Sequence, residues 1–225
     1  MRLTPLGDRA VLVRLGHAID DATRRRVLAA CARLERQPIP GVTEWVPAFA
    51  TVAVQYDPTL ASYAQMAARL ETALVTLDEV PLPAAREVEI PVCYGGEYGP
   101  DLETVARLHA LTPDDVVRRH TGAEYVVHMI GFAPGFPYLG GLPDELATPR
   151  RAEPRTVVPA ASVGIGGSQT GVYPIASPGG WQLIGRTPLK LFVAERQPAS
   201  LLAAGDRVRF RAITPDELRA RERNA

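Results

Sequence analysis

A chain of 225 residues can bury a substantial core in one domain or two. Its 25 basic and 25 acidic side chains cancel to a formal net charge of zero. That balance excludes a general affinity for nucleic acid or for an anionic membrane surface. The opening residues Met1 to Asp8 hold no apolar run of signal-peptide length, and no stretch of about 18 apolar residues follows, so the expected location is the cytoplasm. Cys31 and Cys93, 62 positions apart, read as reduced thiols. His17, His109, His120 and His128 follow no metal-ligand spacing, and no metal site is expected.

In chain order, Ala10 to Leu15 alternates as a strand. From Asp20, an N-cap, Val27, Leu28, Cys31 and Leu34 share a helical face until Pro38 and Pro40 stop it. Val42 to Val46 and Thr51 to Tyr56 are two further strands, and a second helix is expected from about Thr59 to Leu77. This order predicts a small α+β sandwich with helices on one face of a sheet, resembling a ferredoxin-like half, over residues 1–80. The proline-bearing, non-periodic segment from Asp78 to Arg86 is read as the domain boundary.

The second part, residues 87–213, opens with a strand over Val88 to Val92. One helix begins at Asp101. Another begins at Thr112-Pro113-Asp114-Asp115, where a cap, a first-turn proline and two acids favoured by the helix dipole coincide. Tyr125 to Ile130 and Arg207 to Arg211 are strands, and many short strands with two helices predict a closed β-barrel. Residues 214–225 are expected to be a charged, frayed tail.

The strongest anomaly is a glycine- and proline-rich region from His128 to Pro188. Within it, the thirty residues from Thr156 to Gly185 carry no Asp, Glu, Lys or Arg. Gly164 to Gly171 reads either as a pocket lined by backbone and small side chains or as a set of barrel turns. It is not a phosphate loop, because Val172 and Tyr173 stand where Lys and Ser or Thr are needed. An anion nest of backbone N–H groups, helped by Ser168, Gln169 and Thr170, remains open. No Gly-x-Ser-x-Gly elbow is present. Arg150, Arg151 and Arg155 precede the uncharged stretch and Arg186 follows it, so arginines can flank an otherwise neutral pocket and bind carboxylate or phosphate. His120, at a helix C-terminus, reads either as a functional group or as a cation that complements the helix dipole. Trp181 either walls a ligand site or plugs the barrel.

The run Gly131-Phe132-Ala133-Pro134-Gly135-Phe136-Pro137-Tyr138-Leu139-Gly140 resembles the family of the 5-oxoprolinase B subunit, also described as allophanate hydrolase subunit 1 and as the kinase inhibitor KipI. Matching blocks include Gly7-Asp8-Arg9-Ala10, Ile90 to Gly96, Gly164 to Pro174 and Ser177 to Thr187. The resemblance implies an N-terminal ferredoxin-like domain and a C-terminal cyclophilin-like barrel. It further implies ATP as co-substrate, partner subunits C and A, and opening of 5-oxo-L-proline to L-glutamate by the complex. Alternatives within the family are a kinase inhibitor and a carboxyltransferase-type subunit for another small amide. Carried onto this chain, the resemblance implies His120 and Gln169 as catalytic candidates, and Arg150, Arg155, Thr170 and Arg186 as substrate-binding ones. His128 stands where the family pattern has an aromatic or apolar residue and is not carried over.

Overall fold

The computed structural model describes residues 1–223. The chain divides into two compact units, Met1–Ala84 and Ala85–Ala225.

The first unit contains β1 (Arg2–Pro5), β2 (Ala10–Arg14), α1 (Asp21–Arg36), β3 (Val42–Pro47), β4 (Thr51–Tyr56) and α2 (Tyr63–Ala73). The strands form one antiparallel sheet in the order β1-β2-β4-β3. Alternation in β2 and β4 sends Val11, Val13, Val52 and Val54 inward, where they share a core with Val27, Ala30 and Leu34 of α1 and Met66 and Leu70 of α2. Asp20 caps α1 by accepting from the Thr23 N–H at 2.7 Å, as its sequence position predicts. α2 is shorter than its apolar periodicity suggests. Asp57 first folds the chain into a turn by accepting from the Thr59 N–H, and Ser62 with Gln65 then forms a capping box. Leu60, counted in the helical stripe from sequence, therefore lies exposed ahead of the helix. β1 was not foreseen.

The second unit contains β5 (Glu87–Tyr94), α3 (Leu102–Leu108), α4 (Pro113–Gly122), β6 (Tyr125–Ile130), β7 (Pro137–Gly140), β8 (Arg155–Val158), β9 (Ser162–Gly166), β10 (Gln169–Val172), β11 (Ser177–Gly179), β12 (Gln182–Arg186), β13 (Arg207–Ala212) and α5 (Pro215–Arg223). Seven strands close into a barrel in the order β10-β7-β6-β13-β5-β12-β9, while β8 and β11 pair separately. β13 runs parallel to β5, and the other barrel pairings are antiparallel. Closure leaves these short strands no unpaired barrel edge. The interior is filled by Ile90, Val92, Tyr125, Val127, Leu139, Val163, Ile165, Ile184 and Phe210, so the barrel is a packed core and not a channel. The expected α+β class, with an α/β sandwich followed by a closed barrel, is the architecture found.

The tail differs from expectation. Thr214 accepts from the Glu217 N–H, Glu217 reaches back to the Thr214 N–H, and Pro215 occupies the first turn, so Pro215–Arg223 is helical. Leu218 buries itself against Cys93 and Ile213, with Tyr98 alongside. The tail's last two positions, 224 and 225, lie outside the described residues. Among the described residues no helix is long and apolar enough to cross a membrane.

Candidate functional site

The glycine-rich hairpin formed by β9 and β10 is built around an aromatic side chain. A Cβ on Gly166 would fall 2.5 Å from Trp181 Cδ1, and one on Gly171 would fall 3.1 Å from Trp181 Cζ3. Only Gly167 in this run needs a positive φ, at 64°, for the tight turn. Trp181 is buried with Phe136, Tyr173, Val158 and Leu183 in a cluster separate from the barrel interior. Edge-to-face contacts from Phe136 and Tyr173 hold its ring. The glycines thus make room for the indole, and the indole fills the space that a backbone-lined pocket would occupy. The Gly167 N–H at the turn is engaged as well, since Gly167 and Thr148 exchange backbone hydrogen bonds of 2.8 and 3.1 Å.

His120 and Thr170 meet inside the second unit. Thr170 Oγ1 donates to the Gly164 carbonyl at 3.0 Å and stands 3.0 Å from His120 Nε2, while His120 Nδ1 lies 2.8 Å from the Tyr94 hydroxyl. Thr170's proton is directed to Gly164, which assigns a donating Nε2–H and leaves Nδ1 to accept from Tyr94. Tyr125 donates to the His120 carbonyl at 2.8 Å, and Phe210 lies against the imidazole with ring centroids 4.4 Å apart. His120 is wholly buried. Burial lowers its pKa to about 3, and it raises the phenols of Tyr94 and Tyr125. The imidazole is therefore neutral, and the reading of His120 as a cation complementing the helix dipole does not survive its desolvation.

The arginines are placed differently. A cavity of about 220 Å³ opens among Glu97, Tyr98, Arg155, Ser162, Leu183 and Arg186, with Pro100, Val157 and Pro159 completing its wall. Two side chains selected from sequence, Arg155 and Arg186, line it together, although 31 positions separate them. Their placement follows from strand pairing: Arg186 at the end of β12 is opposite Ser162 at the start of β9, and Arg155 opens β8. Five buried side-chain polar atoms lack a hydrogen-bond partner among the described residues, and two of these are Arg155 Nη1 and Arg186 Nε. A buried guanidinium N–H without an acceptor is costly.

The residue that positions Arg155 was missed as a functional one. Asp101 reads from sequence as a helix start, but its side chain caps nothing. It turns instead toward the arginines: Oδ1 accepts from Arg155 Nη2 at 2.8 Å and Arg151 Nη1 at 3.3 Å, and Oδ2 accepts from the buried Leu183 N–H at 2.6 Å. The Asp101 N–H returns a bond to the Leu183 carbonyl at 2.9 Å, so the carboxylate joins the start of α3 to β12 and to the segment before β8. These contacts span 50 to 82 positions, and no local pattern announces them. Glu222 of α5, also missed, pairs with Arg186 at 3.4 Å.

The six residues named from sequence thus fall into separate places. Arg155 and Arg186 share the cavity, His120 and Thr170 share the interior, Gln169 is half-buried where β10 begins, and Arg150 is exposed, its charge acting on the Tyr173 phenol. His128 is half-buried over Gly140, where a Cβ would collide with its ring.

Residues 1–202 match the family described as carboxyltransferase domain, subdomain C and D. The chain is 46% identical to the 5-oxoprolinase B subunit of Bacillus subtilis strain 168 over 229 residues, covering 97% of this chain and 95% of that one. It is 46% identical to the 5-oxoprolinase B subunit of Escherichia coli O157:H7, covering 91% of this chain and 93% of that one. Among solved structures, that of TTHA0988 superposes with a TM-score of 0.79 at 38% identity; it covers 91% of this chain, which spans 40% of that longer one. With a family match over most of its length and relatives matched nearly end to end, the chain belongs to the carboxyltransferase-domain family that includes the 5-oxoprolinase B subunit.

Proposed function

We propose that this chain is the B subunit of an ATP-dependent 5-oxoprolinase, works with subunits A and C, and contributes an anion-holding pocket to the opening of 5-oxo-L-proline to L-glutamate. The observation that carries this reading is identity of 46% to a 5-oxoprolinase B subunit along nearly the full length of both chains. The geometry adds a site suited to a small anionic substrate, since Arg155 and Arg186 bring two guanidinium groups to one cavity. His120 and Thr170 support that pocket from within by tying α4 to β10 and, through the Gly164 carbonyl, to β9. Gln169 and Arg150, less enclosed, suit contact with a partner subunit or with the far end of the substrate.

The glycine run and this cavity do not fit the nucleotide. The glycine run lacks the lysine of a phosphate loop, its Gly167 N–H is engaged by the Thr148 carbonyl, and the cavity is smaller than the roughly 300–1,000 Å³ of typical ligand pockets. ATP chemistry is accordingly assigned to the other subunits. The test is glutamate release from 5-oxo-L-proline and ATP by this chain alone, by subunits A and C together, and by all three. Activity confined to the complete mixture is expected. Equal activity of A and C without this chain would overturn the reading.

A further inference from the structure

The cavity's charges specify its ligand further than its family does. Arg155 and Arg186 line it, and Arg151 shares Asp101 with Arg155. Against these three guanidinium groups stand Asp101 and the lining residue Glu97, which leaves one positive charge in excess. Glu222 supplies the missing negative charge through its contact with Arg186. The nearby Arg219 is paired with Asp216 and leaves this balance unchanged. Leu183, Val157 and the two prolines give the cavity an apolar wall.

We infer that the pocket binds a small monocarboxylate with a compact apolar body, and that Glu222 on α5 occupies the place of that carboxylate beside Arg186 until the ligand displaces it. This rests on the reading of the cavity as a substrate-anion site. Arg155 and Arg186 line the cavity together, a guanidinium grips a carboxylate through paired N–H donors, and Glu222 holds one of these, Arg186 Nη2. A phosphate dianion would exceed the single uncompensated charge and meet Glu97 in the lining. The Arg186–Glu222 pair suits a displaceable role because its side chains are 38% and 37% exposed, and at 3.4 Å its attraction is weak enough for a ligand to overcome. α5 itself stays anchored through buried Leu218, so displacement requires movement of its last turn only.

The experiment is titration calorimetry on the full-length chain with 5-oxo-L-proline, L-glutamate and inorganic phosphate, for the native protein and for Glu222→Gln, Arg186→Lys and Arg186→Gln. Glu222→Gln should bind 5-oxo-L-proline about two- to fivefold more tightly than the native chain, the factor corresponding to loss of one competing exposed ion pair. Arg186→Gln should abolish binding. Arg186→Lys, which keeps the charge but lacks the Nε donor, should weaken it. Hydrogen exchange should speed up in the last turn of α5 when ligand is added. Unchanged affinity in Glu222→Gln with α5 still helical overturns the competition, as does binding that survives in Arg186→Gln. Phosphate binding as tight as that of 5-oxo-L-proline overturns the carboxylate assignment, and no binding of either carboxylate to Glu222→Gln at millimolar concentration overturns the site. Because this assay needs no other subunit, its failure is distinguishable from failure of the reconstituted reaction.

Discussion

Asp101→Ala is the most informative single change in the second unit. It removes the acceptor of a buried backbone donor, the Leu183 N–H, and the shared partner of Arg151 and Arg155. An orphaned buried donor costs about 1–3 kcal/mol. The ion-pair losses are smaller, because the Arg151 and Arg155 side chains are 37% and 23% exposed, and solvent screening holds each to about 0–1 kcal/mol. The expected loss is therefore about 2–4 kcal/mol, or a fall of about 1–2 M in the urea midpoint at an m-value of about 2 kcal/mol/M. Asp101→Asn keeps an oxygen for Leu183 and gives up the charge, so it should lose only about 1 kcal/mol. Fluorescence in a Trp45→Phe background isolates Trp181 and hence the second unit. An alanine variant within about 0.5 kcal/mol of the native protein would refute the argument, and equal losses in both variants would place the energy in the charge and not in the backbone cap.

Three further outcomes follow from the same structure. His120 has a folded-state pKa of about 3, below its unfolded value near 6.5, so the unfolded chain takes up the proton first and stability falls as pH drops below 6.5. Its share is about 2 kcal/mol between pH 6.5 and 5; denaturation at the two pH values should show that slope in the native chain and its loss in His120→Gln. Gly166→Ala forces a methyl against the Trp181 indole and should cost about 1–3 kcal/mol by overpacking, with partial recovery in Gly166→Ala/Trp181→Leu measured in the same urea series. Thr214→Ala removes the cap of α5 and should cost that helix about 1 kcal/mol, read as faster amide exchange between Glu217 and Arg221 while β5 is unaffected.

What the sequence made legible depended on how local the cause was. Thr112-Pro113-Asp114-Asp115 announces α4 because the cap, the proline and the acids all act within one turn. Thr214-Pro215-Asp216-Glu217 carries the same signal for α5; a charged, chain-terminal setting hid it, and with it the placement of Glu222 beside Arg186. β1 pairs with β2 across a short turn at Gly7, yet its four residues are too few to establish a period. His120 illustrates another limit. Its position at a helix end is visible in sequence, but the rings of Tyr94, Tyr125 and Phe210 that desolvate it come from three strands. Asp101 is the extreme case, where the correct helix boundary concealed a side chain occupied elsewhere.

The uncharged stretch from Thr156 to Gly185 shows why composition pointed near the site without lying on it. A charge within β9 or β10 would be buried in a wall packed on one side by the barrel core and near Trp181 on the other, at a cost that few partners could offset. Packing therefore explains the absence of charge, and Ser162 is the hydroxyl of the stretch that reaches the cavity lining. Its ends behave differently, because the antiparallel pairing of β12 with β9 returns the chain to where it started. Arg155 and Arg186, the first charges allowed outside the wall, consequently meet at one mouth of the fold. A long neutral segment bounded by arginines in an all-strand region is then a geometric statement: the neutral part is scaffold, and its two termini are the place to look for an anion.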